Sequence, residues 1–277
     1  LGIIKLFIKI TKSKYKELIY LSPTLKLSTV LRDYIFFKLT FINKLKYFPF
    51  KKTYRTYLKI ENDIYENETN RYLRIINENI LINKNTIKLD YLRNKLNRDE
   101  HLKLNLLREL FKNKFIINIH PGTKIQINNW GLKNWKRLVL ELVKNDKIHM
   151  IITGSNSKSE LKFNDEIFKI NKNKITNLTG IFDIKNINLI YDYTNLYVGH
   201  DTGLMHIAAS RNVPIFGIFS NRFQKGIWYP FDLSKKNYIF YPRCCEYLYK
   251  NKYCQHYKKC ILSINYFYIV KKINKLN

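Results

Sequence analysis

From residue 115 onward, short β-rich apolar runs alternate with stretches whose apolar residues recur at helical spacing. Phe115-Ile116-Ile117-Asn118-Ile119 reads as a buried strand, broken by His120-Pro121-Gly122. Residues Leu132 to Lys144 place Leu132, Trp135, Leu138, Val139, Leu142 and Val143 on one helical face. A strand over Ile148 to Ile152 ends at Thr153-Gly154-Ser155, and a helix over Ser157 to Ile170 follows. Next come a short strand over Ile175 to Leu178 and a helix over Asp183 to Tyr193, with Asp183 as its N-cap. Leu196-Tyr197-Val198 is a strand that runs into Gly199-His200-Asp201-Thr202-Gly203. A short helix over Leu204 to Ser210 and a strand over Val213 to Phe219 complete the pattern. Such alternation predicts an α/β fold with a parallel sheet covered by helices. Right-handed crossovers bring the strand C-terminal ends to one edge. The loops HPGTK, TGSNS, GHDTG and FSNRF all fall on that edge, where open α/β sheets bind ligands.

The first hundred residues are less regular. A strand over Glu17 to Leu21 closes at Ser22-Pro23, and helices are expected over Leu25 to Phe37 and Asn67 to Ile76. The polar stretch from Lys84 to Lys103 reads as a linker. This supplies one or two β-α units, too few for a complete doubly wound domain. The expected division is therefore a partial N-terminal α/β domain with linker over residues 1–110 and a Rossmann-like domain over 111–277. The chain starts at Leu rather than Met, which predicts that its beginning is missing. The tail after Leu233 is rich in Tyr, Lys and Cys, with a closing helix over Ile261 to Asn274.

With 45% hydrophobic residues the chain can bury a core. Its net charge of +29 attracts polyanions, whether nucleic acid, anionic lipid or phosphorylated sugars. A general Lys bias on a solvated surface explains the charge equally well. No nucleic-acid motif accompanies it, so nucleic acid is not expected as a partner. No apolar run is long enough to span a bilayer, and Lys5 and Lys9 interrupt the N-terminal run where a signal peptide would be apolar. The expected location is cytoplasmic, with a basic face suited to the anionic inner membrane. Cys244, Cys245, Cys254 and Cys260 do not have zinc-ribbon spacing and read as free or packed thiols.

The segment Val198 to Ala209 carries the most chemistry. A strand enters a tight turn and a helix begins at once. The first free N–H groups of that helix, with the positive end of its dipole behind them, form a seat for phosphate. Gly199 and Gly203 permit close approach, Thr202 offers a hydroxyl, and Asp201 can accept hydrogen bonds from sugar hydroxyls. Local physics is equally consistent with Asp201 and Thr202 as a plain helix cap. A lone His at position 206 is more often packed than catalytic.

The run G-H-D-T-G-L-M-H-I-A-A resembles the G-N-D-T-G-P-M-H-L-A-A signature of family 9, heptosyltransferase-like glycosyltransferases. His120-Pro121-Gly122-Thr123 resembles its H-P-G-A/S-S/T loop, and Trp130 to Trp135 its W-P-x-E-x-W. Ile151 to Gly154, Asn177 to Gly180, Val213 to Phe219 and Trp228 to Phe231 resemble further family segments, in order, and Cys245, Cys254 and Cys260 the cysteine-containing end of some members. The resemblance implies a GT-B fold of two Rossmann-like halves, the N-terminal one incomplete here. It implies inverting sugar transfer, heptose first, from a nucleoside diphosphate donor such as ADP-heptose to a lipopolysaccharide-core or lipid-linked saccharide, without an obligatory metal or other cofactor. Carried over, Thr123, Thr202, Gly203 and His206 contact the donor diphosphate, Asp201 the donor sugar and Met205 the nucleoside. Lys124, Thr153 and Gly154 join them as donor-binding candidates, and Arg211 and Arg222 are nearby cations.

Three features depart from the family pattern. Asn128 stands where the family usually has a Lys for the diphosphate, and the acid expected after N-L-x-G is displaced to Asp183. No Gly-Asp loop precedes Glu17, so no catalytic base is assigned. These departures keep a second reading open: a non-catalytic relative that binds a nucleotide sugar or acidic glycan.

Overall fold

The computed structural model describes residues 2–23, 26–61, 63–76, 95–231, 237–242 and 260–276. The chain forms two compact units, residues 1–83 with 225–228, and residues 84–224 with 229–277.

In the first unit, helix α1 spans Gly2–Ser13, strand β1 Glu17–Ile19, helix α2 Leu27–Leu39 and strand β2 Lys44–Lys46. β1 and β2 pair in parallel. The short antiparallel strands β3 (Lys59–Glu61) and β4 (Ile64–Tyr65) precede helix α3 (Glu68–Ile76). The expected helix over Leu25 to Phe37 is displaced two residues along, because Lys26 is extended (φ −89°, ψ 122°) and holds the N-cap. Asn67 caps α3 by accepting the Asn70 N–H at 2.8 Å. Tyr20, Val30 and Phe48 make a small core, with the Tyr20 and Phe48 rings stacked 4.2 Å apart. Beside α3, buried Arg71 pairs with Glu68 at 2.5 Å and donates to the carbonyls of Tyr54 and Ser22. Residues 225–228 complete this unit: the Tyr65 N–H donates to the Lys225 carbonyl and the Glu68 N–H to that of Ile227. Gly226 sits at φ +103°, and a Cβ there would lie 1.9 Å from the Tyr65 carbonyl oxygen, so only glycine fits.

The second unit is built on six parallel strands: β5 (Phe115–His120), β6 (Ile148–Ile152), β7 (Ile175–Asn177), β8 (Leu196–His200), β9 (Ile215–Ile218) and β10 (Tyr238–Phe240). Their order is β10-β9-β8-β5-β6-β7. The order reverses between β5 and β8, which is where such sheets open a crevice at their C-terminal ends. Helices α4 (Arg98–Asn113), α5 (Leu132–Leu142), α6 (Lys158–Phe168), α7 (Gly203–Ser210) and α8 (Tyr266–Ile273) cover the sheet.

Period-two alternation explains the two covers. Ile117, Ile119, Met150 and Ile152 face Trp135, Leu138, Val139 and Leu142 of α5 and Ile269, Val270 and Ile273 of α8. Ile116 and Ile151 face the other way, onto Leu107 of α4, Ile187, Ile190 and the side of α7. Each fully buried aliphatic side chain contributes about 1.5–3 kcal/mol of transfer free energy.

Two expectations change. The stretch from Asp183 leads into a tighter 3₁₀ turn over Ile187–Tyr193 rather than an α-helix, with Asp183 capping its approach: the carboxylate accepts the Lys185 and Asn186 N–H groups at 2.8 and 2.9 Å. The expected linker is helical from Arg98, where Asn97 and Glu100 form a reciprocal capping box and the Leu107 face seals one side of the sheet. The closing helix spans Tyr266–Ile273. Cys260 is buried, whereas Cys244, Cys245 and Cys254 lie outside the described residues.

Candidate functional site

A cavity of about 840 Å³ opens in the second unit at the strand-order reversal. Its floor is made by the loops after β5, β6 and β8. Gly122, Thr123 and Lys124 come from the first, Gly154 from the second, and Asp201, Thr202 and Gly203 from the third. Phe182, Ile184, Ile187 and Leu204 add apolar lining. This combination of apolar wall and a few converging polar groups suits a small organic ligand.

The β8 loop is held from behind. His200 is fully buried, and its Nε2 accepts the Trp130 N–H at 3.1 Å. Its proton therefore sits on Nδ1, 3.5 Å from the Gly122 carbonyl oxygen. Burial, with His120 beside it, lowers its pKa to about 3, so it stays neutral. Neutral His120 holds the β5 loop to β6, its Nδ1 meeting the Thr153 carbonyl oxygen at 2.9 Å. Burial lowers the His120 pKa against the pull of Glu160.

Thr202 occupies the N-cap of α7 but makes no side-chain cap hydrogen bond. The Met205 N–H donates to the Thr202 carbonyl at 3.1 Å, which leaves the Gly203 and Leu204 N–H groups for another acceptor, and the plain side-chain-cap reading does not describe Thr202. An added Cβ on Gly203 meets no protein atom within 4 Å. Asp201 is mostly buried, and burial raises its pKa to about 7, with Arg222 opposing the shift. The His206 Nε2 is 3.9 Å from its Oδ1. The imidazole keeps 40% exposure, yet its surroundings lower its pKa.

The sequence-predicted site residues separate into two groups. Thr123, Lys124, Gly154, Asp201, Thr202 and Gly203 lie on the cavity wall. Thr153 does not: it is fully buried, and its hydroxyl donates to Asn118 Oδ1 at 3.0 Å. Met205 is fully buried, and His206 is not part of the wall either, although its imidazole lies beside Asp201. Arg211 pairs with Asp192. Asn128 turns its Oδ1 away to accept the Ser220 hydroxyl at 2.6 Å, so it brings no group to the cavity.

Sequence reasoning missed several wall residues. Glu160 lies across the two glycine loops, within 2.7 Å of a Cβ built on Gly122, and accepts the Ser155 N–H at 2.7 Å. Asn97 and Glu100 reach the wall from α4, where the Glu100 carboxylate accepts the Asn186 Nδ2 amide at 3.1 and 3.2 Å. The Asn97-to-Glu100 capping spacing was a readable signal for the helix, but not for its position beside the cavity.

The arrangement brings the N-terminus of α7, the Asp201 carboxyl and several apolar side chains onto one cavity wall. The family model "Glycosyltransferase family 9 (heptosyltransferase)" matches residues 5–243. No curated protein sequence matches the chain. Among solved structures, the family 9 glycosyl transferase of Veillonella parvula DSM 2008 superposes with a TM-score of 0.66 at 14% identity, covering 99% of this chain and 77% of that one. E. coli ADP-heptose lps heptosyltransferase II gives a TM-score of 0.58 at 13% identity, with 98% and 79% covered. E. coli heptosyltransferase WaaC with ADP gives 0.57 at 9% identity, with 100% and 77% covered. The sheet and its neighbours place the fold in the GT-B type with Rossmann-like halves. With the family model running through most of its length, the chain belongs to glycosyltransferase family 9, the heptosyltransferases, and is a glycosyltransferase.

Proposed function

We propose that this glycosyltransferase takes heptose from ADP-heptose and transfers it, with inversion, to a lipopolysaccharide-core or lipid-linked saccharide. The observation that carries the reading is the N-terminus of α7, free of side-chain capping, with open space over Gly203 and Asp201 beside it. Backbone N–H groups and the helix dipole stabilise the charge that develops on a departing diphosphate. Lys124 adds a cation on the same wall. Asp201 accepts hydroxyls of the donor sugar, and the apolar lining takes the nucleoside. The nucleotide carried by the solved family relatives supports ADP as the first choice: one is bound to ADP and another is an ADP-heptose enzyme. We place the protein in the cytoplasm, peripheral to the inner membrane. That location suits its charge of +29 and a lipid-linked acceptor. Titration calorimetry with ADP-heptose tests the proposal, and absence of binding by the full-length gene product would sink it.

A second reading is favoured by Asn128, which is committed to Ser220 and supplies no charge to the diphosphate. Here the chain binds a nucleotide sugar without transferring it. ADP-heptose binding with no ADP release in the presence of deacylated core saccharide would select this reading.

A further inference from the structure

We propose that Asn164, on the buried face of α6, is a positioning residue for the donor site: its amide braces the glycine loops after β6 and β7 against each other. Asn164 lies off the cavity wall and acts through those loops, so the proposal rests on the donor-binding reading only for the choice of ADP as probe. α6 turns Phe163, Ile167 and Phe168 toward the core of the second unit. Asn164 shares that face, three and four residues before Ile167 and Phe168, and is fully buried. It puts an amide where the helical pattern calls for an apolar side chain.

The neighbours fix which way the amide points. Its Nδ2 donates to Thr179 Oγ1 at 2.9 Å and to the Thr153 carbonyl oxygen at 3.5 Å. The Thr179 hydroxyl donates its one proton to Asn177 Oδ1 at 2.6 Å, so toward Asn164 it only accepts. The Asn164 Oδ1 is thereby left buried without a hydrogen-bond partner.

The groups it joins carry the cavity wall. Thr153 precedes Gly154 and Thr179 precedes Gly180, and both glycines line the cavity. A Cβ built on Gly154 would lie 2.7 Å from Asn164 Nδ2, so the amide stands directly behind that glycine. The Gly180 N–H donates to the Gly154 carbonyl at 2.9 Å. One turn earlier on α6, Glu160 accepts the Ser155 N–H at 2.7 Å. Asn164 thus completes a brace that fixes both loops to one helix.

Stability does not account for this amide. Without it neither partner is stranded: the Thr153 carbonyl keeps His120 Nδ1, and the Thr179 hydroxyl keeps Asn177. Its own Oδ1, by contrast, is desolvated with nothing in return. An apolar side chain of the same branched shape should therefore be tolerated at no loss of stability, and what it forfeits is the registration of the two loops.

The test compares Asn164→Leu, which keeps the branch at Cγ, with the unaltered full chain. In the ligand-free protein the Ser155 and Gly180 amides should exchange hydrogen about tenfold faster or more in the variant, with the melting midpoint unchanged or higher. The dissociation constant for ADP should rise about tenfold or more, because the loops must be ordered on binding. Asn164→Ala should shift exchange and affinity the same way, and serves if leucine fails to pack. A lower melting midpoint with unchanged exchange at both amides would overturn the proposal, since Asn164 would then serve stability alone. Faster exchange with unchanged ADP affinity would overturn it as well. If the unaltered chain does not bind ADP, the donor reading falls, and exchange at the two amides decides the brace by itself.

Discussion

Replacing Gly203 with Ala separates a phosphate seat from a structural turn. Gly203 is the first residue of α7, and its φ lies outside the left-handed region that only glycine tolerates. An added Cβ meets nothing within 4 Å, so the empty protein has no steric reason to require glycine there. Alanine lowers the entropy of the unfolded chain and is the better helix former, so G203A should stabilise by about 0.5 kcal/mol. For a chain of this size that raises the melting midpoint by about 1–2 °C. The donor should respond in the opposite direction. If the diphosphate rests on the α7 N–H groups, the new methyl occupies the space through which it approaches. Losing one or two charge-assisted hydrogen bonds, at about 1.5–3 kcal/mol each, weakens binding by at least tenfold. Calorimetric titration with ADP-heptose and a thermal melt on the same preparation measure both quantities. A higher melting midpoint with an unchanged dissociation constant would refute the seat at Gly203.

Further outcomes follow from the same geometry. Asp201 ionises at about pH 7, so its carboxylate opposes a bound diphosphate more strongly above that pH. ADP affinity should therefore rise as pH falls through 7, and the rise should be smaller in Asp201→Asn, whose ligand carries the same phosphate titration. His149 and His200 are held neutral, with pKa lowered by burial to about 4 and about 3. Their contribution is whole above the ordinary value of 6.5 and is lost as pH falls toward the folded values, by up to about 1.4 kcal/mol per pH unit each. Melting midpoints should drop between about pH 6 and 4, and less so in His149→Gln. Arg71→Met leaves buried Glu68 without its partner and should cost about 3–5 kcal/mol in denaturant unfolding. Gly226→Ala drives a Cβ into the Tyr65 carbonyl and should destabilise by about 2 kcal/mol or more, while Gly203→Ala does not.

The β-α alternation of the second unit and the loops that end its strands are written in local patterns of the chain. Ile148–Ile152 begins and ends where its apolar run does, because strand and helix periodicity are local properties of the chain. The His200-Asp201-Thr202-Gly203 turn was legible for the same reason: strand, turn and helix start lie within a dozen residues. Side-chain direction was not. Thr153 and Met205 stand in the right segments, yet the sheet and the core claim them, and Asn128 is claimed by Ser220 92 residues away. Glu100 reaches the cavity only because α4 packs across the sheet and the Asn186 amide, 86 residues on, donates to its carboxylate. The strand order that sets the β5 and β8 loops on either side of one crevice, and the return of residues 225–228 to the first unit, are likewise long-range pairings. No window of sequence contains both partners of such a contact. Composition and periodicity therefore fix which segments are strands, helices and loops, while packing decides which of their side chains face a ligand.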